Sequence, residues 1–208
     1  NKEFWSLNFY TNNNVLDPRP ETELIIESII KYRQNKNEKI SFCDLGTGSG
    51  CIIISLLKHY YNSRGVGIDI SKKAIKVAKK NSIIHNVSER LKLVKGNWTS
   101  LNNKYDIIFS NPPYVKFGDL NKLQKEVKFF DPVISLNGGN DGLEKFRDLS
   151  LIINRYMKNS SIFLLEIGQN QMNDIEKIFY TKNLQLLEVI RDLQGNERVM
   201  IFNKINKI

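Results

Sequence analysis

Cysteine is scarce in this chain. Of 208 residues only Cys43 and Cys51 are cysteine, and they flank a glycine loop with no metal-ligand spacing around them. That excludes a disulfide framework and a cysteine-ligated metal centre, so no metal is expected and both read as small core residues in a reducing, cytoplasmic compartment. Histidine is equally sparse. His59 and His85 sit in ordinary helix and loop sequence, without a carboxylate or nucleophile at a telling distance, so no histidine-based catalytic centre is expected. No apolar run is long enough to cross a bilayer and no secretory leader is legible, so no membrane role is expected. Without secretion the match of Asn97-Trp98-Thr99 to a glycosylation acceptor carries no weight. Acidic residues are outnumbered, 22 against 31 basic, which leaves a formal net charge of +9. Such an excess permits nucleic-acid, ribosomal or acidic protein partners but names none. Lys72, Lys73, Lys76, Lys79 and Lys80 suit the wet face of one helix, and the Asn-, Ile- and Lys-rich composition reads as a general bias. The chain also lacks an initial methionine. It opens at Asn1 in an apolar stretch (Phe4, Trp5, Leu7, Phe9, Tyr10) suited to packing on this domain or on a removed upstream piece.

What is present alternates between strand and helix. With 41% hydrophobic residues the chain can bury a core as one domain. β-branched runs predict strands at 40–45, 64–70, 90–95, 105–110, 161–167, 184–190 and 198–202. Apolar spacing predicts helices from Pro20 to about Arg33, then at 51–57, 71–81, 143–157 and 169–180. The last two strands are joined by a hairpin link at 192–197. The expected fold is therefore α/β: a seven-stranded, mostly parallel sheet with an antiparallel C-terminal edge strand. A lead-in segment and helix (1–35) precede the main domain (36–208). Within that domain, 115–142 reads as an insertion on the substrate side. It contains an amphipathic piece at 120–127, Phe129-Phe130-Asp131-Pro132, and Gly138-Gly139-Asn140-Asp141-Gly142, and it is a candidate lid.

Two loops carry the chemistry. Ile40-Ser41-Phe42-Cys43-Asp44-Leu45 runs into Gly46-Thr47-Gly48-Ser49-Gly50, and a helix follows. Strand, glycine loop, helix is the setting in which backbone N–H groups approach a nucleotide-type ligand. No Lys-Ser/Thr pair follows the last glycine, which excludes a Walker loop, and the spacing is not that of the dinucleotide pattern. Asp44 is ill-suited to a pyrophosphate. It can hold, directly or through water, the ammonium end of an amino-acid-like cofactor such as S-adenosylmethionine. Asp69 ends the next strand, where ribose hydroxyls would lie; its plainer role is a helix cap. Asn97 and Trp98 follow the third strand, where the indole can wall an adenine and Asn97 can meet its exocyclic amine; a packed core tryptophan is the alternative.

The second loop is Asn111-Pro112-Pro113-Tyr114, at the end of the buried run Tyr105-Asp106-Ile107-Ile108-Phe109-Ser110. Consecutive prolines give no N–H donors and force extended geometry on the residues before them. The result is a stiff turn bearing an amide, two open carbonyls and an aromatic ring. It suits a planar NH2-bearing group, whose hydrogens Asn111 and a proline carbonyl can accept while Tyr114 lies on its face. Arg19 and Glu21 precede the first helix; capping and solvation compete there with a place in a ligand site.

Together Asp44 to Gly50, Gly67-Ile68-Asp69 and Asn111 to Tyr114 resemble a Rossmann-like class I S-adenosylmethionine-dependent methyltransferase acting on an amide or amino nitrogen. More narrowly, Arg19-Pro20-Glu21-Thr22-Glu23, Asn97-Trp98 and Asn111-Pro112-Pro113-Tyr114-Val115 resemble the HemK-like glutamine methyltransferases. These modify glutamine N5 in the Gly-Gly-Gln loop of peptide chain release factors. A sibling group modifies a glutamine of a large-subunit ribosomal protein; the segment 191–198 is similar to the release-factor enzymes instead. The resemblance implies cofactor contacts from Gly46, Thr47, Gly48, Ser49, Gly50, Asp69, Trp98 and Asn111, and a substrate glutamine held by Asn111, Pro112, Pro113 and Tyr114. It places Arg19 and Glu21 on the substrate side. Asn97 departs from the family's usual aspartate, which implies a weakened contact to adenine. The family's small helical N-terminal domain is expected to be missing here, and some members are fused to a tRNA-modifying domain. S-adenosylhomocysteine would be the product, and nucleic acid would not be required. The rival readings are an adenine-N6 methyltransferase on DNA or RNA, which would use the same tetrapeptide on a flipped base, and an inactive cofactor-binding scaffold.

Overall fold

The structure, a computed structural model, describes residues 1–124, 127 and 131–205. The expected pieces around Lys125, Glu126 and Phe129-Phe130 lie outside the described residues.

The apolar opening stretch forms a hairpin, β1 (Lys2–Phe4) with β2 (Leu7–Phe9). Trp5 and Ser6 at its tip have φ of 50° and 56°, as a two-residue turn with positive φ at both positions requires. The hairpin packs on the body of the domain. Phe4 and Phe9 are fully buried, edge to face, in one core with Ile25, Ile26 and Ile29 of helix α1 (Glu23–Tyr32). A tight turn, Pro20–Thr22, leads into that helix.

Seven further strands make one sheet: β3 (Ser41–Leu45), β4 (Arg64–Asp69), β5 (Leu91–Lys95), β6 (Tyr105–Ser110), β7 (Met157–Glu166), β8 (Leu184–Arg191) and β9 (Glu197–Lys204). Their order is β5-β4-β3-β6-β7-β9-β8. The first five run parallel, and β9 is antiparallel to both of its neighbours. The C-terminal hairpin thus forms the antiparallel edge, with the final strand one place inside and β8 outermost. Helices α2 (Cys51–His59), α3 (Lys72–Ile84), α4 (Glu144–Tyr156) and α5 (Met172–Tyr180) complete the layers. Side chains alternate between two cores: Phe42, Ile107, Phe109 and Leu164 face α1 and α2, whereas Cys43, Ile108, Phe163 and Leu165 face α4 and α5. No helix among the described residues is long and apolar enough to cross a membrane.

Apolar spacing predicts inward faces of Leu24, Ile25, Ile29 and Ile30 in α1 and of Ala74, Ile75, Val77 and Ala78 in α3, and both faces differ in part. In α3, Ile75 is only half-buried, and Asn81 is inward instead, its amide bridging Tyr10 and the Ser49 carbonyl. In α1, Ile26 and Ser28 are buried while Leu24 and Ile30 are half-buried; Ile26 shares a core with Phe4 and Phe9 of the hairpin, and the Ser28 hydroxyl donates to the Leu24 carbonyl.

The topology places the site. From β3 the chain steps outward through β4 and β5, then crosses back to β6 on the other side of β3. The carboxyl ends of β3 and β6 are therefore neighbours, at the switch point where open α/β sheets bind ligands. The Ser110 hydroxyl donates to the Leu45 carbonyl across 2.5 Å and ties the two ends together.

Candidate functional site

A cavity of about 550 Å³ opens at this edge. Both loops line it: Gly46, Thr47, Gly48 and Ser49 on one side, Asn111, Pro112 and Pro113 on the other, with Asp69, Asn97, Trp98 and Arg19 between. Asp44, Gly50, Glu21 and Tyr114 are not among its lining residues. Nor are His59 and His85. The ring nitrogen Nε2 of His85 meets the Asn8 carbonyl, and Nε2 of His59 is buried without a partner among the described residues.

The glycine loop owes its shape to positive φ at Gly46, Gly48 and Gly50. At Gly50 a Cβ would also come within 2.9 Å of Ile54 Cδ1. The loop is held from below by acids. Asp69 accepts from the Gly48 N–H through Oδ2 (2.9 Å) and from the Ser71 N–H through Oδ1 (2.8 Å). Burial raises its pKa, and those two N–H groups oppose the rise. Ser71 is the N-cap of α3, accepting from the Ala74 N–H, so Asp69 braces the helix start and the loop together. Asp44 is buried; its Oδ2 accepts from the Thr47 hydroxyl (2.7 Å), while Oδ1 has no partner among the described residues. Burial pushes its pKa up to about 7, against the pull of Thr47. Cys51 touches the cavity, but burial pushes its thiol up to about 12, which makes it no nucleophile.

The Asn111 turn is built from farther away. Asn111 Nδ2 donates to the Thr22 hydroxyl oxygen (3.2 Å), and the Thr22 hydroxyl donates to Glu166 Oε2 (2.6 Å). The Tyr114 hydroxyl donates to Glu166 Oε1 at 3.3 Å. Glu166 is 2% exposed, and burial pushes its pKa up to about 7, opposed by Thr22, Tyr114 and Arg198. Burial beside that carboxyl also raises the Tyr114 phenol. Three glycines crowd Tyr114: a Cβ at Gly138, Gly142 or Gly168 would lie 2.7, 2.6 and 3.0 Å from its Cα, carbonyl oxygen and ring. Gln171 adds a bond to the Tyr114 carbonyl (3.1 Å). The Asn111 Oδ1 and the Pro112 carbonyl accept no hydrogen bond among the described residues.

Asn97 is exposed and Trp98 half-buried, with its carbonyl bound by the Tyr156 hydroxyl at 2.6 Å. At the cavity wall, Arg19 pairs with Asp131, which also accepts from the Asp17 N–H at 3.1 Å. Pro132, Ile134 and Ser135 of the insertion reach the cavity. The insertion is pinned at its ends, with Val115 paired to Asn137 and the Phe117 N–H on the Gly139 carbonyl. Thr22, Asp131 and Ser71 were not singled out by sequence reasoning. Thr22 stood inside the quoted Arg19–Glu23 motif, and Glu166 lay in the strand expected at 161–167, where Glu166-Ile167-Gly168 also resembles the wider methyltransferase group.

Residues 36–203 match the family described as a methyltransferase domain. A relative from Caulobacter vibrioides, named release factor glutamine methyltransferase, is 35% identical over 96% of this chain and 70% of its own length. This chain belongs to the release factor glutamine methyltransferase family. A Rickettsia prowazekii relative named bifunctional methyltransferase is 35% identical over 99% of this chain, which spans 43% of it. Among solved structures, an RNA methyltransferase from Salinibacter ruber in complex with S-adenosyl-L-homocysteine superposes with a TM-score of 0.59 at 16% identity, over 93% of this chain and 96% of that one. That likeness is one of fold. Membership of that family makes the chain an S-adenosylmethionine-dependent methyltransferase. The residues present fit that cofactor: a glycine loop without a Walker lysine, a buried Asp44 oxygen without a partner among the described residues, and a carboxylate at the cavity in Asp69.

Proposed function

We propose that this chain methylates the side-chain nitrogen (N5) of the glutamine in the Gly-Gly-Gln loop of peptide chain release factors. The reading rests on the meeting of Asn111-Pro112-Pro113 with the glycine loop and Asp69 around one cavity. In it, Gly46 to Gly50, Asp69, Asn97 and Trp98 hold the cofactor, and Asp44 meets its ammonium end, directly or through water. Arg19 and Glu21 belong to the substrate side.

The cofactor, when bound, supplies a methyl group activated by a positively charged sulfur. The chain supplies placement. An amide nitrogen is a poor nucleophile because its lone pair is delocalised into the carbonyl, and no group at the cavity is basic enough to deprotonate it. Asn111 Oδ1 and the Pro112 carbonyl are both open acceptors. By taking the two amide hydrogens they bias the nitrogen toward tetrahedral geometry and aim its lone pair into the cavity. The nitrogen gains a methyl group and gives up one proton, to solvent or to one of these acceptors. Tyr114, held by Glu166 and packed by glycines, contributes by fixing the turn. The glycines of the target loop offer no side chain to grip, so an intact factor should be a far better substrate than a short peptide. The length of the Rickettsia relative fits a second, tRNA-modifying domain in the full-length protein.

The test is incubation with labelled cofactor and a release factor, large-subunit ribosomal proteins, and a DNA/RNA mixture, followed by mass mapping. Label on the release-factor glutamine is expected. Label on adenine and none on glutamine would overturn the reading.

A further inference from the structure

We infer that Thr22 and Glu166 are positioning residues: through a one-way chain of hydrogen bonds they set which end of the Asn111 amide faces the reacting nitrogen. The inference rests on the proposed glutamine chemistry and deepens it.

The argument is a count of hydrogens. A carboxylate has none to give, so the single hydrogen of the Thr22 hydroxyl goes to Glu166 Oε2, 2.6 Å away. The Thr22 oxygen can then only accept. The Asn111 group facing it across 3.2 Å must be the NH2, which leaves Oδ1 as the end free to accept. Both Asn111 and Thr22 line the cavity, so the direction of this chain reaches the place where the substrate amide would sit. Protonation of Glu166 reverses the logic. A carboxylic acid can donate to the Thr22 oxygen, Thr22 can then donate toward Asn111, and a rotated amide would present NH2 to a substrate that is itself a donor.

Glu166 is placed to be sensitive. Glu21 and Thr22 face it from the turn before α1, Tyr114 from the loop after β6, and Arg198 from β9. Burial and Glu21 favour the neutral acid; Thr22, Tyr114 and Arg198 favour the carboxylate, and the balance lies at about 7. Thr22 and Glu166 are 3% and 2% exposed, so no water substitutes readily for either partner.

The first readout needs neither substrate nor cofactor. The side-chain NH2 resonances of Asn111, followed by NMR through pH 5.5–8.5, should titrate with a midpoint near that of Glu166. Thr22→Val should abolish the titration and Thr22→Ser should keep it. The second readout is kinetic. In Thr22→Val, turnover on glutamine should fall about tenfold or more, as expected when a buried donor loses its acceptor. Cofactor affinity by calorimetry should stay within about twofold, a change below 0.5 kcal/mol, and Thr22→Ser should restore most of the turnover. Glu166→Gln should remove the acid limb of the wild-type rate profile. An Asn111 resonance indifferent to pH in the wild type, or equal turnover in Thr22→Val and wild type, overturns the inference. If the wild type methylates no glutamine, the function fails instead, and the NMR titration still decides the orientation.

Discussion

The Gly48 N–H donates to Oδ2 of Asp69 across 2.9 Å, so the acid at the cavity also braces the loop that cradles it. A carboxylate oxygen has more than one lone pair, and bracing leaves Asp69 free to accept ribose hydroxyls as well. The two roles predict different losses. Asp69→Ala should weaken S-adenosylmethionine binding by about 1–3 kcal/mol and also lower stability, because the Gly48 and Ser71 N–H groups lose their acceptor. Asp69→Asn retains one acceptor oxygen and should be milder in both. Calorimetry against S-adenosylmethionine, NAD and ATP, with unfolding curves for each variant, separates the roles. Unchanged affinity in a destabilised Asp69→Ala protein would leave the brace and remove the ribose contact.

Asp44 yields a prediction about protons. In the free protein burial holds its pKa at about 7, well above the usual 3.8. The charged form therefore costs stability above pH 7, and that cost is relieved as pH falls from 7 toward 4, where the unfolded chain begins to take up the same proton. A cofactor ammonium beside Oδ1 favours the charged form and lowers the pKa. Binding at pH 6 should thus release protons, and affinity should rise with pH up to about 7. Calorimetry in buffers of different ionisation enthalpy measures the release. Asp44→Asn should remove it, which distinguishes Asp44 from Glu166, the other acid brought to about 7.

The Arg19–Asp131 pair joins distant parts of the chain. Asp131 is nearly inaccessible, its side chain 2% exposed, whereas Arg19 reaches solvent at 36%. Arg19→Ala should lower stability by about 1–3 kcal/mol by leaving the carboxylate without its donor. It should also reduce turnover on an intact protein substrate more than cofactor affinity, since both partners sit on segments that line the cavity. Denaturant unfolding and single-turnover rates provide the check. A variant indistinguishable in both would reduce the pair to a surface contact.

Much of this site was legible because its signals are local. A β-branched run followed by glycines or by two prolines marks a strand end whatever surrounds it, and a parallel sheet places the carboxyl ends of its strands on one edge. What remained hidden is long-range. Thr22 and Glu166 are 144 positions apart, and Arg19 and Asp131 are 112 apart. Thr22 read as part of a helix start, and nothing near Glu166 revealed that β7 would bring it to the Thr22 hydroxyl and so into the chain that holds Asn111. Asn81 escaped notice for a related reason. It sits in a lysine-rich helix whose outer face is wet, yet the N-terminal segment crosses there. Tyr10 lies under the Lys80 ammonium at 3.3 Å, and the Asn81 amide holds the Tyr10 backbone. Tyr114, expected to lie on the face of the substrate amide, also has its hydroxyl on Glu166 and a ring edge beside Gly168, contacts that no local pattern discloses.

Asn111 itself carries the sharpest test of catalysis by placement. If its Oδ1 holds one amide hydrogen while no base takes part, Asn111→Ala should lower turnover roughly 100-fold, the size expected for one preorganised electrostatic contact. Cofactor affinity should change far less. The rate should also lack the bell-shaped profile of a paired acid and base; a single limb, from Glu166, should remain. Asn111→Asp is the more demanding variant. It keeps an acceptor but has no hydrogen to give Thr22, so two carboxylates would compete for one hydroxyl hydrogen. Like charge raises proton affinity, and the acid limb should move above the wild-type position near pH 7. The added charge would attract a sulfonium in the ground state while the amide-orienting bond is gone, so cofactor affinity should hold or rise as turnover falls. Parallel measurement of cofactor affinity and the pH–rate profile on this one variant decides the matter. Turnover equal to the wild type would show that Asn111 needs only an acceptor oxygen and no orientation.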